Sequence, residues 1–232
     1  MKEYVLRANH IGPQYIVSID EERHVDLVKA RQCLIDAGSF ERRYEILLGN
    51  FLAFEDFCAC SGLRSHVEMD HSYENGSTVI LEANRHIMNF LTAGKTYSDQ
   101  VKSDFKLFGK KRFTEQVVTL MDEASERSSE YRLVTALRNI TQHQDMPVDG
   151  FEASRGRPDR VKGLVFWCYR EKFRPRGRPG ASNDKLVGVF EQAPEKTDLQ
   201  IALRGYMHEI GKVHVRLRTF VQAACQESRA AV

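Results

Sequence analysis

The chain has 232 residues, 42% of them hydrophobic and 28% charged, with only 6 prolines, a composition that suits a globular protein with one substantial core and excludes a disordered or fibrous one. Its formal net charge of +2 is too small for the indiscriminate basicity of a histone-like binder. Five cysteines without regular spacing suit free thiols in a reducing compartment; with no apolar run expected to approach the length of a membrane span, and a stretch from Met1 to His10 too polar and charged for a signal peptide, the expected location is cytoplasmic.

Tyr4 to Ile19 mixes aromatic and β-branched residues around Gly12-Pro13 and reads as a short strand or extended arm. Ser18-Ile19-Asp20-Glu21 supplies a capping box for a helix to about Ala37, with Gly38 as its stop. A second helix is expected between Phe40 and Cys58, where Tyr44, Leu47, Leu48, Phe51 and Phe54 recur at helical spacing, and Ser61-Gly62 should end it. Residues 63–76 read as a polar loop. The strongest helical pattern follows, with Ile80, Ala83, Ile87, Phe90, Leu91, Tyr97, Val101 and Phe105 on one face; Ala93 and Gly94 invite close approach by a neighbour. A shorter helix is expected over Phe113 to Met121, a break with N-cap residues over Ser125 to Glu130, and a helix from Tyr131 to about Gln144, closed by Met146-Pro147.

The style of the sequence changes after Pro147. Residues 148–182 are rich in Gly, Pro and Arg, interrupted by the strand-like Leu164 to Tyr169; Lys185 to Gln192 is a second strand candidate, so a β-hairpin with a long basic tip is expected. Within residues 155–178, nine Lys or Arg face Asp159 and Glu171, a net +7 that leaves −5 for the rest of the chain. Such a strip could hold RNA through Arg170, Lys172, Arg174, Arg176 and Arg178, although a solvated loop has the same composition. Thr197-Asp198 should open a last helix with a seam of Leu199, Leu203, Tyr206, Ile210, Val213, Leu217 and Phe220, long enough to pack along the Ile80 to Phe105 helix.

The candidate chemistry lies on the Tyr131 to Gln144 helix. At about 100° per residue, Leu133, Val134, Leu137, Ile140 and Thr141 share a core face, leaving Arg132, Thr135, Arg138, Asn139, Gln142 and His143 as a polar strip. Asn139 and His143 are neighbours one turn apart, whereas Arg138 and His143 diverge by roughly 140°. One copy of the helix therefore does not aim its Arg and His at a common point.

The segment Leu137-Arg138-Asn139-Ile140-Thr141-Gln142-His143, followed by Met146-Pro147, resembles the HEPN superfamily, and so does the later Gly211-Lys212-Val213-His214 with Leu217-Arg218. That resemblance implies a mainly α fold: a HEPN-like helical bundle in a single domain over 1–232, with 148–192 as a basic, strand-containing insert before the last helix. It further implies a metal-independent endoribonuclease that needs no cofactor, with Arg138, Asn139 and His143 as catalytic residues and the site completed by a second copy in a homodimer. In the implied reaction a ribose 2′-hydroxyl attacks the adjacent phosphate and leaves a 2′,3′-cyclic phosphate. The residue types suit it, since a guanidinium stabilises charge on phosphate oxygens and histidine moves protons near neutral pH. Many relatives are toxins or antiviral effectors, some held by an antitoxin protein. The alternatives are a non-catalytic module binding a protein or nucleic acid, or a helical small-molecule binder whose polar strip is simply solvated. In a purely structural role, Arg138 would pair with an acid such as Glu55 or Asp99 and His143 would cap carbonyls.

Elsewhere the signals are weaker. Arg64 and His71 repeat the loose Arg–His spacing in an expected loop. His66, Glu68, Asp70 and His71, and the pair Cys58 and Cys60, do not form a complete metal-ligand pattern. His208 and His214 do not share a helix face well, which favours surface or packing roles. P-loop, serine-esterase and zincin motifs have no counterpart in the chain.

Overall fold

A computed structural model describes residues 3–8, 11–12, 15–67, 72–107, 111–153, 163–175 and 181–230. The extended arm is a hairpin of β1 (Tyr4–Arg7) and β2 (Ile16–Ile19), paired antiparallel. Asp20 then caps the first helix by accepting from the Arg23 backbone N–H at 2.7 Å.

That helix, α1 (Glu21–Val67), runs for 47 residues without a break. Neither Gly38 nor Gly62 stops it, and the two helices expected here are one. An interior glycine costs only about 1 kcal/mol of helix propensity. The buried Phe40, Leu47, Phe54 and Cys58 on the α1 core face offset this. Gly62 has a packing reason: a Cβ placed there would lie 2.5 Å from the Gly163 Cα. Of the polar loop expected at 63–76, residues 63–67 belong to α1 and residues 73–76 to α2 (Tyr73–Leu107). Over one 18-residue stretch α1 is apolar enough to cross a membrane by length and composition; it packs against α2 and the last helix.

Helices α3 (Lys111–Arg127) and α4 (Ser129–His143) follow. Ser128 separates them, its hydroxyl accepting from the Tyr131 N–H at 3.1 Å. The insert contributes β3 (Gly150–Ala153), β4 (Leu164–Tyr169), a 3-10 turn (Arg170–Phe173) and α5 (Ala181–Gln192). Lys185 to Gln192 is thus helical, not a strand. Its Leu186, Val189, Phe190 and Ala193 fit a helical face as well as a strand, and packing against α4 decides between them. The hairpin partner of β4 is β3, with Gly150 opposite Trp167, and β5 (Lys196–Asp198) pairs on its other edge, giving the order β3-β4-β5.

Asp198 opens α6 (Leu199–Ala230), accepting from the Ile201 N–H at 3.1 Å. Its seam residues Leu199, Leu203, Ile210 and Leu217 are fully enclosed. The helix lies along α1 and α4 rather than chiefly along α2, which it meets through side chains. A Cβ on Gly94 would come within 3.0 Å of the Tyr206 hydroxyl, so the close approach expected at Gly94 is made by a tyrosine ring. The described part of the chain is therefore mainly helical, with two small antiparallel sheets.

Candidate functional site: the groove between α4 and α5

Helix α4 buries Tyr131, Leu133, Val134, Ala136, Leu137 and Ile140 and turns its polar strip outward. Four of its six residues face α5. Arg132, Thr135, Asn139 and His143 line one wall of a groove of about 440 Å³, and Leu186, Val189 and Gln192 form the other. Its size falls in the range of small-ligand sites. Asn139 and His143 thus share one groove within a single chain, as their one-turn spacing requires.

Arg138 is not among the groove-lining residues. Its Nη1 donates to the Asn139 Oδ1 at 3.0 Å, which uses one of the five N–H groups of its guanidinium. The acids considered for it are engaged elsewhere: Glu55 receives Arg204 at 2.6 and 2.5 Å, and Asp99 receives Lys95 at 2.5 Å.

Arg132 carries no role in the sequence reading, yet it organises this corner. Its Nη1 donates to the Ser125 and Glu126 carbonyls at 2.6 and 3.1 Å, and its Nη2 to the Gln192 Oε1 at 2.9 Å. One side chain therefore satisfies free carbonyls at the end of α3 and holds α5 against α4.

The basic strip is not a uniform phosphate-binding surface. Lys172 is enclosed, its side chain 3% exposed, with its ammonium 2.9 Å from Asp149, 3.1 Å from Asp145 and 2.6 Å from the Met146 carbonyl. This corrects the expectation that it reaches RNA. Burial pulls the Lys172 pKa down, but the hydrogen bonds it donates to Asp149 and Asp145 outweigh that and the net shift is upward. Lys172 instead fastens the turn that follows His143, helped by Asn84, whose Oδ1 accepts from the Val148 N–H at 2.9 Å. Arg170 and Arg174 are exposed and lie over the Phe190 ring of α5, each 5.4 Å from its centre. Arg176 and Arg178 lie outside the described residues, as do Glu68, Asp70 and His71.

A second histidine site lies where α6 meets α1 and α2. His214 is 1% exposed and stacks between Phe40 and Tyr44, with ring centres 4.4 and 4.0 Å away. Its Nδ1 is 3.0 Å from the Tyr97 hydroxyl and its Nε2 3.3 Å from Glu41. Arg218 holds Glu41 with two hydrogen bonds of 2.7 and 2.5 Å. Burial lowers the His214 pKa to about 4, against partial compensation from Glu41. The Arg218 hydrogen bonds hold Glu41 below the ordinary carboxylate range. A neutral imidazole fits this site, accepting from Tyr97 and donating to Glu41. The packing role expected for His214 is what the geometry gives. Among the described residues, no group of three His, Cys, Asp or Glu could hold a metal ion. Comparison with family models, with curated proteins and with solved structures finds no match for this chain.

Proposed function

We propose that the protein is a metal-independent endoribonuclease of HEPN type, acting as a homodimer and suited to the role of a toxin or antiviral effector. The observation that carries this reading is the convergence of Asn139 and His143 on the α4–α5 groove, with Arg138 bonded to Asn139 beside it. In the reaction, the 2′-hydroxyl of one ribose attacks the adjacent phosphorus, the 5′-oxygen of the next nucleotide leaves, and a 2′,3′-cyclic phosphate forms. His143 moves the proton, Asn139 holds an oxygen, and guanidinium N–H groups of Arg138 not used on Asn139 neutralise the phosphate. Because Arg138 and His143 diverge on one helix, the Arg of one copy and the His of the other act together.

The test is cleavage of RNA in the presence of a chelator. Wild-type protein is expected to leave cyclic phosphate ends, and His143→Ala to lose the activity while keeping its unfolding midpoint. Mixing inactive Arg138→Ala with inactive His143→Ala should restore part of the activity, since one composite site would again be whole. Undiminished cleavage by His143→Ala sinks the reading; failure of the mixture sinks the composite site. A protein that binds RNA or a protein partner without cutting is a non-catalytic module of the same build.

A further inference from the structure

We propose that Cys33 and Cys225 are a reversible redox clasp, which a low-molecular-weight disulfide of the glutathione class oxidises to an intramolecular disulfide tying the start of α1 to the end of α6. Both cysteines are free thiols of intermediate exposure. Neither lines the α4–α5 groove.

Three contacts show that α1 and α6 run antiparallel and fix their register. Arg204 meets Glu55, the His214 ring stacks on Tyr44 at 4.0 Å, and Arg218 meets Glu41. Cys225 follows His214 by 11 residues, and Cys33 precedes Tyr44 by 11. Eleven residues make about three helical turns, so each cysteine returns to the face of its stacked ring, roughly 16 Å further along. The register therefore brings the two sulfurs together, and the Cys225 and Cys33 side chains are hydrogen-bonded. Ala37 and Val221, one turn from each cysteine, are packed into the core, so the interface closes right up to the pair.

Burial pushes the Cys225 thiol up and the neighbouring Cys33 pushes it further, with Arg229 in partial opposition. Cys225 keeps its proton and donates it to the Cys33 sulfur, which makes Cys33 the sulfur that attacks. The Cys33 thiolate displaces one thiolate from the small disulfide and forms a mixed disulfide. Cys225 then gives up its proton and attacks the Cys33 sulfur, breaking the mixed disulfide and expelling the second small thiolate. Two protein thiols are oxidised, one small disulfide is reduced to two thiols, and the two protein protons leave on them. The other cysteines lack such a partner. Cys58 and Cys168 are buried with their thiols pushed up; Cys60 is exposed but two residues from Cys58, a spacing that sets them on different helix faces. A pair of this kind belongs with the transient, sensing disulfides of reducing compartments.

The experiment places the full chain, with Cys60→Ser to silence the exposed thiol, in reduced and oxidised glutathione at set ratios, then quenches, alkylates and maps the peptides by mass spectrometry. A Cys33–Cys225 cross-linked peptide is expected to grow with the oxidised fraction and to vanish in dithiothreitol. Because the bond closes a loop over most of the chain, the oxidised protein should melt about 8 °C higher. Cys225→Ser should accumulate the glutathione adduct at Cys33, whereas Cys33→Ser should leave Cys225 at least tenfold less modified; alanine replaces serine where the serine variant does not fold. Separate adducts on both cysteines without a cross-link, no modification at any ratio, or a cross-link that leaves the midpoint unchanged overturns the clasp. Equal adducts in the two single variants overturn the order of attack.

Discussion

His143 and His214 each lie on a helix that also carries arginines, and the sequence around each contributed to the same family resemblance, yet the molecule treats them oppositely. His214 is closed in by Phe40, Tyr44 and Tyr97, with its polar edges bonded to Tyr97 and Glu41. His143 is exposed and opens on a groove. The richer hydrogen-bond network belongs to the sealed site, where no substrate reaches the ring. A constellation of catalytic residue types therefore identifies a site only together with access, and by that measure the sparser α4 constellation is the candidate.

Breaking this contrast starts with the two histidines. For His143→Ala the expected result is an activity loss of about 10³-fold with little change in thermal midpoint. For His214→Ala it is a stability loss of about 3 kcal/mol, from the cavity between two rings and the unpaired Tyr97 hydroxyl, measurable as a midpoint lowered by about 10 °C. If His214→Ala kept its stability and lost only activity, the assignment of the two histidines would be reversed.

The sealed site also carries a pH signature. His214 has a depressed pKa in the folded state, so its contribution is full above its ordinary 6.5 and is lost as pH falls through about 4. The loss is on the order of 3 kcal/mol over that window, and the lowered Glu41 pKa adds a further loss in the same direction at its lower edge. Urea midpoints at pH 7 and pH 5 should therefore separate in the wild type and draw together in His214→Phe. A smaller effect, about 2 kcal/mol, is expected for Lys172→Met, because Asp145 is half exposed and regains water when the ammonium is lost; chemical denaturation measures it. The smallest is for Arg170→Ala with Arg174→Ala. Arg174 is already paired with Glu171 at 2.6 Å, so the salt dependence of RNA binding should change by less than about one unit of slope per residue.

Local chemistry made much of this legible. Ser128 and Asp198 mark helix starts because their caps are made within three residues, and the buried faces of α2, α4 and α6 follow from a 3.6-residue period. The rest depends on contacts between distant segments. Gly38 and Gly62 look like stops until the α1 core face and Gly163 are in place. Lys185 to Gln192 has the β-branched and aromatic content of a strand, and only its packing on α4 makes it helical. Lys172 counts as an open charge in the sequence because Asp145 lies 27 residues away. For the same reason the polar strip of α4 showed in the sequence, while the opposite wall, with Gln192 60 residues from Arg132, did not.

Two glycines set how closely the β3–β4 hairpin is packed. A Cβ on Gly150 would lie 2.5 Å from the Trp167 ring, and one on Gly62 would lie 2.5 Å from Gly163, so β3 and β4 are seated against a side chain and a helix that leave no room to shift. Ala153 stands opposite Leu164 and Gly150 opposite Trp167, so the register of this hairpin is locked by the absence of two side chains as much as by its hydrogen bonds. A methyl group added at either glycine would have to displace an indole ring or a helix before the strands could pair.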